Sequence, residues 1–153
     1  MIVLDTNVVS ELMRPSPAAE VVDWVRQQEG GSLTTTAVTV AEIRYSLALL
    51  PAGRRATQIQ ALAEDVLATF PAQVLPFDAK AAALYGDLAA GRERAGQPID
   101  ALDAQIAAIC LSRAAPLATR NAKDFAATGV DLLDPWPARR SVPSRKRRRL
   151  PAR

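Results

Sequence analysis

Short apolar runs alternate with helical patterns along most of this chain, and this alternation restricts its fold more than any other feature. Ile2–Leu4 is too short for a helix and ends in polar turn formers, while Leu33–Thr36 is brief and rich in β-branched residues. Both runs therefore predict buried strands. Three further runs predict strands: 74–77, 116–119 and 130–133. Strands that alternate with helices predict an α/β fold with a parallel sheet covered by helices on both faces.

Helical periodicity fills the intervals between these runs. Ser16 is predicted to cap a helix that begins at Pro17, and Asp78 to cap one that runs to about residue 95. Apolar stripes at helical spacing also lie within 40–50, 59–70 and 102–110. Asp100 follows a break at 96–98 and is the predicted N-cap of the last of these helices.

The residue types limit the chemistry that is open to the chain. It has no histidine and one cysteine, Cys110, which excludes zinc sites of the Cys/His kind and Ser-His-Asp or Cys-His catalysis. Cys110 lies on an apolar helix face and is predicted to be a buried small residue. The sequence has neither G-x-x-x-x-G-K-[ST] nor G-x-G-x-x-G, which disfavours nucleoside-triphosphate and dinucleotide sites. Any catalysis must rest on carboxylates, hydroxyls, lysines or a metal held by oxygen.

Charge divides the chain into an acidic body and a basic end. The last 15 of the 153 residues hold eight of the 19 basic residues and no acidic one, so the preceding part carries 11 basic and 16 acidic residues. We expect one domain over residues 1–137 and a disordered basic tail over 138–153, because the tail has almost no apolar content. The first residues lack the pattern of a signal peptide and no long apolar stretch occurs, which predicts a cytoplasmic protein with no membrane association.

Polar side chains follow the predicted strands, at the end of a parallel sheet where ligands bind. Asp5 follows the first strand, and Glu42 follows the second after a short helical start. Asn121 and Asp124 follow the fourth strand, and Asp103 lies in the first turn of the helix that leads into it. A right-handed crossover would bring Asp103 to the same end of the sheet. We therefore expect these side chains to converge.

Each of these residues also has an ordinary structural explanation. Asp5 is a preferred N-cap for a first helix, Thr39 and Glu42 have the spacing of a capping box, and Asn121 and Asp124 suit caps or turns. Crowded carboxylates, however, repel one another unless a cation neutralises them, and oxygen ligands without His or Cys favour Mg²⁺ or Mn²⁺. Such an ion supports phosphodiester hydrolysis without a histidine base.

Four segments carry a resemblance to a known family, in that family's order. They are MIVLDTNVVSELMRP, TTTAVTVAEIRYSLALL, PIDALDAQIAAIC and LATRNAKDFAATGVDLLDPW. Together they resemble PIN-domain proteins of the VapC or FitB type, the toxin half of type II toxin–antitoxin pairs, from Met1 to about Trp136. The resemblance implies a PIN-like three-layer α/β/α sandwich with a central parallel sheet of four to five short strands.

The resemblance also implies a Mg²⁺- or Mn²⁺-dependent endoribonuclease that cuts RNA, forms a homodimer and is silenced by a VapB-like antitoxin. It assigns catalysis to Asp5, Glu42, Asp103 and Asp124, and metal binding to the first three of these. It assigns substrate positioning, or the orientation of the carboxylates, to Thr6, Asn7, Thr119 and Asn121. Asn121 stands where some relatives have an aspartate, so the choice of fourth polar ligand between Asn121 and Asp124 stays open.

Two other functions remain as alternatives. An aspartate after the first strand of a parallel sheet also suits a metal-dependent phosphatase or phosphoacceptor domain, although Thr6 and Asn7 supply no second acid close behind Asp5. A non-catalytic RNA-binding protein is the third possibility, and the intact acids count against it. The aromatic residues are too scattered for a base-stacking platform and are expected to pack: Trp24, Phe77, Phe125 and Trp136.

Overall fold

A parallel sheet flanked by helices organises the structure, a computed structural model that describes residues 1–70 and 74–136. The elements in chain order are β1 Ile2–Leu4, α1 Thr6–Leu12, α2 Ala19–Arg26, β2 Leu33–Thr36, α3 Ala37–Ala48, α4 Arg54–Ala68, β3 Val74–Leu75, α5 Ala79–Arg94, α6 Ala101–Arg113, β4 Leu117–Ala118 and β5 Leu132–Leu133. The strand order is β3-β2-β1-β4-β5, and every neighbouring pair is parallel. The predicted α/β fold with a parallel sheet is confirmed.

The core consists of two apolar clusters on opposite faces of the sheet. Successive strand residues point to opposite faces, and Val3 belongs to one cluster while Leu4 belongs to the other. The cluster around Val3 contains the inner face of α6, including Ile106, whereas that around Leu4 contains residues of α1 to α4, including Val8 and Ile43. The result is the three-layer α/β/α arrangement expected from the sequence.

Cys110 and three of the four aromatic residues pack as predicted. Cys110 is fully buried in the α6 cluster, and burial raises the pKa of its thiol to about 12. Trp24 and Trp136 pack against the α1–α4 cluster, and Phe125 is buried in the α6 cluster. Phe77 is half-exposed and contacts Tyr85 edge to face, with 6.0 Å between ring centroids.

Helix starts confirm two of the predicted caps and correct one. Asp78 accepts a hydrogen bond from the N–H of Ala81, and Asp100 from that of Leu102, so both are N-caps. The prediction that Ser16 caps a helix beginning at Pro17 is wrong, since α2 begins at Ala19. The N–H of Ala18 donates instead to Oε1 of Glu11, at 2.8 Å.

The capping-box interpretation of Thr39 and Glu42 is also wrong. Thr36 is the N-cap of α3, and its hydroxyl oxygen accepts from the N–H of Thr39 at 3.0 Å. Helix α3 therefore begins directly after β2, and Glu42 lies in its second turn, free of any capping role.

The three late strands are shorter than their apolar runs. They cover two residues each, against the four predicted for 74–77, 116–119 and 130–133. The prolines at positions 76 and 116 lack a backbone N–H and cannot donate to the sheet. The predicted tail at 138–153 lies outside the described residues. Among the helices that are described, none combines the length and apolar character needed to cross a membrane.

Candidate active site

The strand order of the sheet switches sides between β1 and β4, and the site lies at this point. The chain builds β1, β2 and β3 towards one side and then places β4 on the other side of β1. Ligands in such sheets bind outside the carboxyl ends of the strands at this switch point. The N–H of Asp5, just after β1, donates to the carbonyl of Ala118 at the end of β4, at 3.0 Å. Asp5 and Thr119 are consequently neighbours at the switch point.

Asp5 is buried and held by three donors. Its Oδ2 accepts from the hydroxyl of Thr119 and from Nδ2 of Asn7, each at 2.6 Å, and its Oδ1 accepts from the N–H of Thr6 at 2.8 Å. The last bond makes Asp5 the N-cap of α1, so the capping role and a place in the site coexist. Burial raises the pKa of Asp5, against the opposing effect of these three hydrogen bonds.

Glu42 and Asp5 both accept hydrogen bonds from Thr6. The hydroxyl of Thr6 donates to Oε2 of Glu42 at 2.6 Å, and Thr6 is also the residue whose N–H binds Asp5. Burial raises the pKa of Glu42, and the negative charges of Asp5 and Asp100 raise it further. One threonine therefore orients two carboxylates from α1 and α3.

Asp103 has the most strongly perturbed carboxylate of the site. It lies in the first turn of α6, whose start is at the carboxyl end of the sheet. Burial raises its pKa to about 6, and the charges of Asp5, Asp100, Asp124 and Glu42 add to the effect. Within the described part of the chain, no hydrogen bond or ion pair engages the Asp103 carboxylate. Its oxygens are available to a ligand.

Asn121 and Asp124 lie in the loop between β4 and β5. Asn121 is exposed, and its backbone makes two hydrogen bonds in this loop. Its N–H donates to the hydroxyl oxygen of Thr119 and its carbonyl accepts from the N–H of Asp124, both at 3.0 Å. Asp124, Asp100 and Asp103 line a cavity of about 210 Å³. The turn that Asn121 starts therefore carries Asp124 to the wall that Asp103 occupies.

Three of the four residues predicted to position substrate or to orient the carboxylates contact the carboxylates directly. Thr6, Asn7 and Thr119 all donate to Asp5 or Glu42, and the side-chain oxygen of Asn7 also accepts from the N–H of Arg120. This geometry favours the orientation of the carboxylates over direct contact with substrate for these three residues.

The donor set fits a hard divalent cation. Asp5, Glu42 and Asp103, which we call the acid cluster, offer only oxygen ligands. Over 1–70 and 74–136, no three acidic side chains approach one point closely enough to enclose an ion. Mg²⁺ needs no such cage, because it is commonly held by one or two carboxylates and keeps several of its waters. Burial is the main cause of the raised pKa of Asp103, and the negative charges of the neighbouring acids add to it; a cation would relieve this repulsion.

Arg92 is a site neighbour that the sequence analysis missed. It lines the same 210 Å³ cavity as Asp103 and Asp124, although it belongs to α5. A signal was present: Leu84, Leu88 and Arg92 follow at intervals of four residues, so Arg92 continues the apolar stripe of the helix. A charged residue on a buried stripe marks a position with a specific partner.

Comparison with known proteins agrees with the fold. Residues 2–130 match the family described as PIN domain. A protein named VapC ribonuclease Y4jK from Sinorhizobium fredii is 42% identical over 137 residues, which cover 89% of this chain and 98% of that protein. Toxin FitB from Neisseria gonorrhoeae is 36% identical over 89% of this chain and 99% of its own length. The crystal structure of FitAcB from the same organism superposes with a TM-score of 0.82 at 36% identity, covering 90% of this chain and 100% of that one.

Proposed function

This chain belongs to the PIN-domain family, and from that membership we propose that it is the toxin of a type II toxin–antitoxin pair and a Mg²⁺- or Mn²⁺-dependent endoribonuclease. Its relatives carry the names VapC ribonuclease and Toxin FitB. The match covers 98% of the first relative and 99% of the second, so the proposal rests on nearly their whole lengths and not on a shared fragment.

One observation carries the proposal: three acids from distant parts of the chain converge where the sheet binds ligands, and no described cation neutralises them. The ion pairs of the described residues are Arg14–Glu11, Arg26–Asp23, Arg44–Glu64 and Arg113–Asp78. None of these pairs includes the acid cluster. A site of this kind is unfavourable as it stands, because like charges raise the cost of ionisation. A bound divalent cation would neutralise these carboxylates and remove their mutual repulsion, which favours its binding.

In the proposed site Asp5 and Asp103 would hold the metal directly, Glu42 would be the third acid and Asp124 the fourth. When bound, the ion would polarise a phosphoryl oxygen and supply a water of lowered pKa. The chain itself contributes orientation. Thr6 and Thr119 keep the Asp5 and Glu42 oxygens in place by hydrogen bonds of 2.6 to 2.8 Å, as partners of metal ligands commonly do.

The burial of Asp5 argues against the phosphoacceptor alternative. A carboxylate that accepts a phosphoryl group must present an oxygen as a nucleophile. Asp5 is 3% exposed and both of its oxygens accept hydrogen bonds. This environment suits a fixed ligand better than a nucleophile.

Removal of divalent metal should abolish RNA cleavage by the purified protein. We expect cleavage of RNA in Mg²⁺ or Mn²⁺, loss of cleavage in excess EDTA, and recovery when Mn²⁺ is restored, since no ion pair of the described residues includes the acid cluster. Gel analysis of an end-labelled RNA would follow the reaction. Cleavage that persists at full rate in EDTA would refute the metal-dependent mechanism.

A small partner encoded beside this protein should neutralise it. We propose that a VapB-like antitoxin occludes the acidic site of a homodimeric toxin, because an acidic pocket favours a basic side chain from its partner. Expression of this chain alone is expected to arrest bacterial growth, and co-expression of the neighbouring short reading frame to restore it. Colony counts measure both effects. Growth arrest that no neighbouring small protein relieves would contradict the pairing.

A further inference from the structure

Arg92 is a buried cation that has no carboxylate partner among the described residues. The residue is 8% exposed, and none of the ion pairs of the described chain includes it. Burial of a charge is costly unless specific contacts compensate for it. An arginine on the surface would not have this cost. The burial of Arg92 therefore indicates a specific contact that compensates for the lost hydration of its charge.

That contact is with the loop that carries Asp124. Nη1 of Arg92 donates to the carbonyl of Ala126, which joins the last turn of α5 to the β4–β5 loop. Nε of Arg92 has no partner within the described residues. Arg92 lines two cavities of about 210 Å³ each, one shared with Asp100, Asp103 and Asp124, the other with Gln97 and Thr128 among others.

The loop itself needs such an anchor. Phe125, a residue of this loop, is buried, and the Thr128 hydroxyl donates to the Phe125 carbonyl at 2.6 Å. Ala127 has φ of 58°, a left-handed conformation that costs free energy for any residue with a Cβ and persists only when surrounding contacts impose it. The buried Phe125 side chain and the Arg92 contact to the Ala126 carbonyl both hold the loop immediately before this strained residue.

We propose that Arg92 is a positioning residue of the acidic site: by holding the Ala126 carbonyl it keeps the β4–β5 loop in the conformation that places Asp124 beside Asp103. The consequence for metal binding rests on the proposed function. The contact that holds the loop does not depend on that function, since it is a hydrogen bond from the Arg92 side chain to a backbone carbonyl.

The fastening is tested by hydrogen exchange in the metal-free, full-length protein. Arg92→Met keeps a long buried side chain and removes the donors, and Arg94→Met changes an exposed arginine two residues further along the same region of α5. We expect R92M to speed amide exchange of residues 121–129 by about tenfold or more, with R94M unchanged. R92K, which restores a donor, should slow exchange again. Equal exchange in R92M and R94M, or in R92M and R92K, would overturn the proposal.

The action on the site is tested by calorimetric titration with Mn²⁺. R92M should bind Mn²⁺ about tenfold more weakly than wild type, as loss of a supporting contact commonly does. If Arg92 acts through Asp124, R92M should cause no further loss in a D124N background. An additive loss, or unchanged affinity in R92M, would overturn the role in positioning Asp124. A wild-type protein that binds no Mn²⁺ would instead defeat the proposed nuclease function, while hydrogen exchange would still decide the fastening.

Discussion

Replacement of Asp103 by asparagine is expected to lower the rate of RNA cleavage by on the order of 100-fold or more, with the fold retained. The metal contributes several kcal/mol of transition-state stabilisation, and each 1.36 kcal/mol is a factor of ten in rate. Asparagine keeps the size of the side chain and removes the charge. Because no described hydrogen bond engages the Asp103 carboxylate, this change removes a proposed ligand without breaking a structural contact.

Asp5→Asn should be at least as damaging, but for two reasons at once. Both Asp5 oxygens accept from donors, so one donor must face the new NH₂ group. D103N is therefore the cleaner variant, and Asp65→Asn, an exposed acid on α4, is the matched control. Initial rates on one RNA at saturating Mn²⁺ measure the effect. Wild-type rates in D103N would remove Asp103 from the mechanism.

The same D103N substitution should stabilise the metal-free protein at neutral pH. The pKa of Asp103 is about 6 in the folded state against an ordinary value of 3.8, so between these values the folded chain binds more protons than the unfolded chain. Its contribution to stability therefore falls as the pH rises from about 4 to about 6, and stays low above that. Asparagine does not ionise, so the D103N protein does not lose this stability as the pH rises.

The size of this stabilisation follows from the shift in the Asp103 pKa, reduced by the screening of its charge by solvent. A shift of this size corresponds to about 3 kcal/mol at most, and solvent screening of a partly exposed group reduces it to about 1 kcal/mol. Melting of D103N in EDTA at pH 7.5 should lie about 3 °C above wild type, and the difference should vanish near pH 4. Mn²⁺ should raise the melting temperature of wild type more than that of D103N. A D103N protein that melts below wild type at pH 7.5 in EDTA would contradict the electrostatic description of the site.

Local patterns predicted most of the secondary structure of the chain, because each pattern depends on neighbours within about four residues. Asp78 and Asp100 were identifiable as caps from the breaks that precede them. Thr36 was not distinguished from Thr39, since both are threonines at the junction of β2 and α3 and only the observed hydrogen bond to the Thr39 N–H separates them. The start of α2 was misplaced because Glu11, seven residues earlier, takes the N–H of Ala18.

The candidate site was accessible from the sequence to the extent that topology determines it. Parallel strands bring their carboxyl ends together, so Asp5, Glu42 and Asp103 were expected to converge. The contacts that orient them were not, because the bond from Thr6 to Glu42 spans 36 residues and that from Thr119 to Asp5 spans 114. The position of Arg92 on the apolar stripe of α5 was visible in the sequence, but its partner was not, since that partner lies in a loop 34 residues away. No local pattern encodes such pairs.

Mapping of RNA 5′ ends in cells after brief expression of wild type beside D103N tests most directly whether the acid cluster cuts RNA. The variant proteins should accumulate equally and differ in one carboxylate. We expect new 5′ ends at discrete positions in one or a few RNAs with wild type and with D65N, and none of these ends with D103N. The same ends in D103N, or growth arrest by wild type without any new ends, would contradict a metal-dependent ribonuclease at this site.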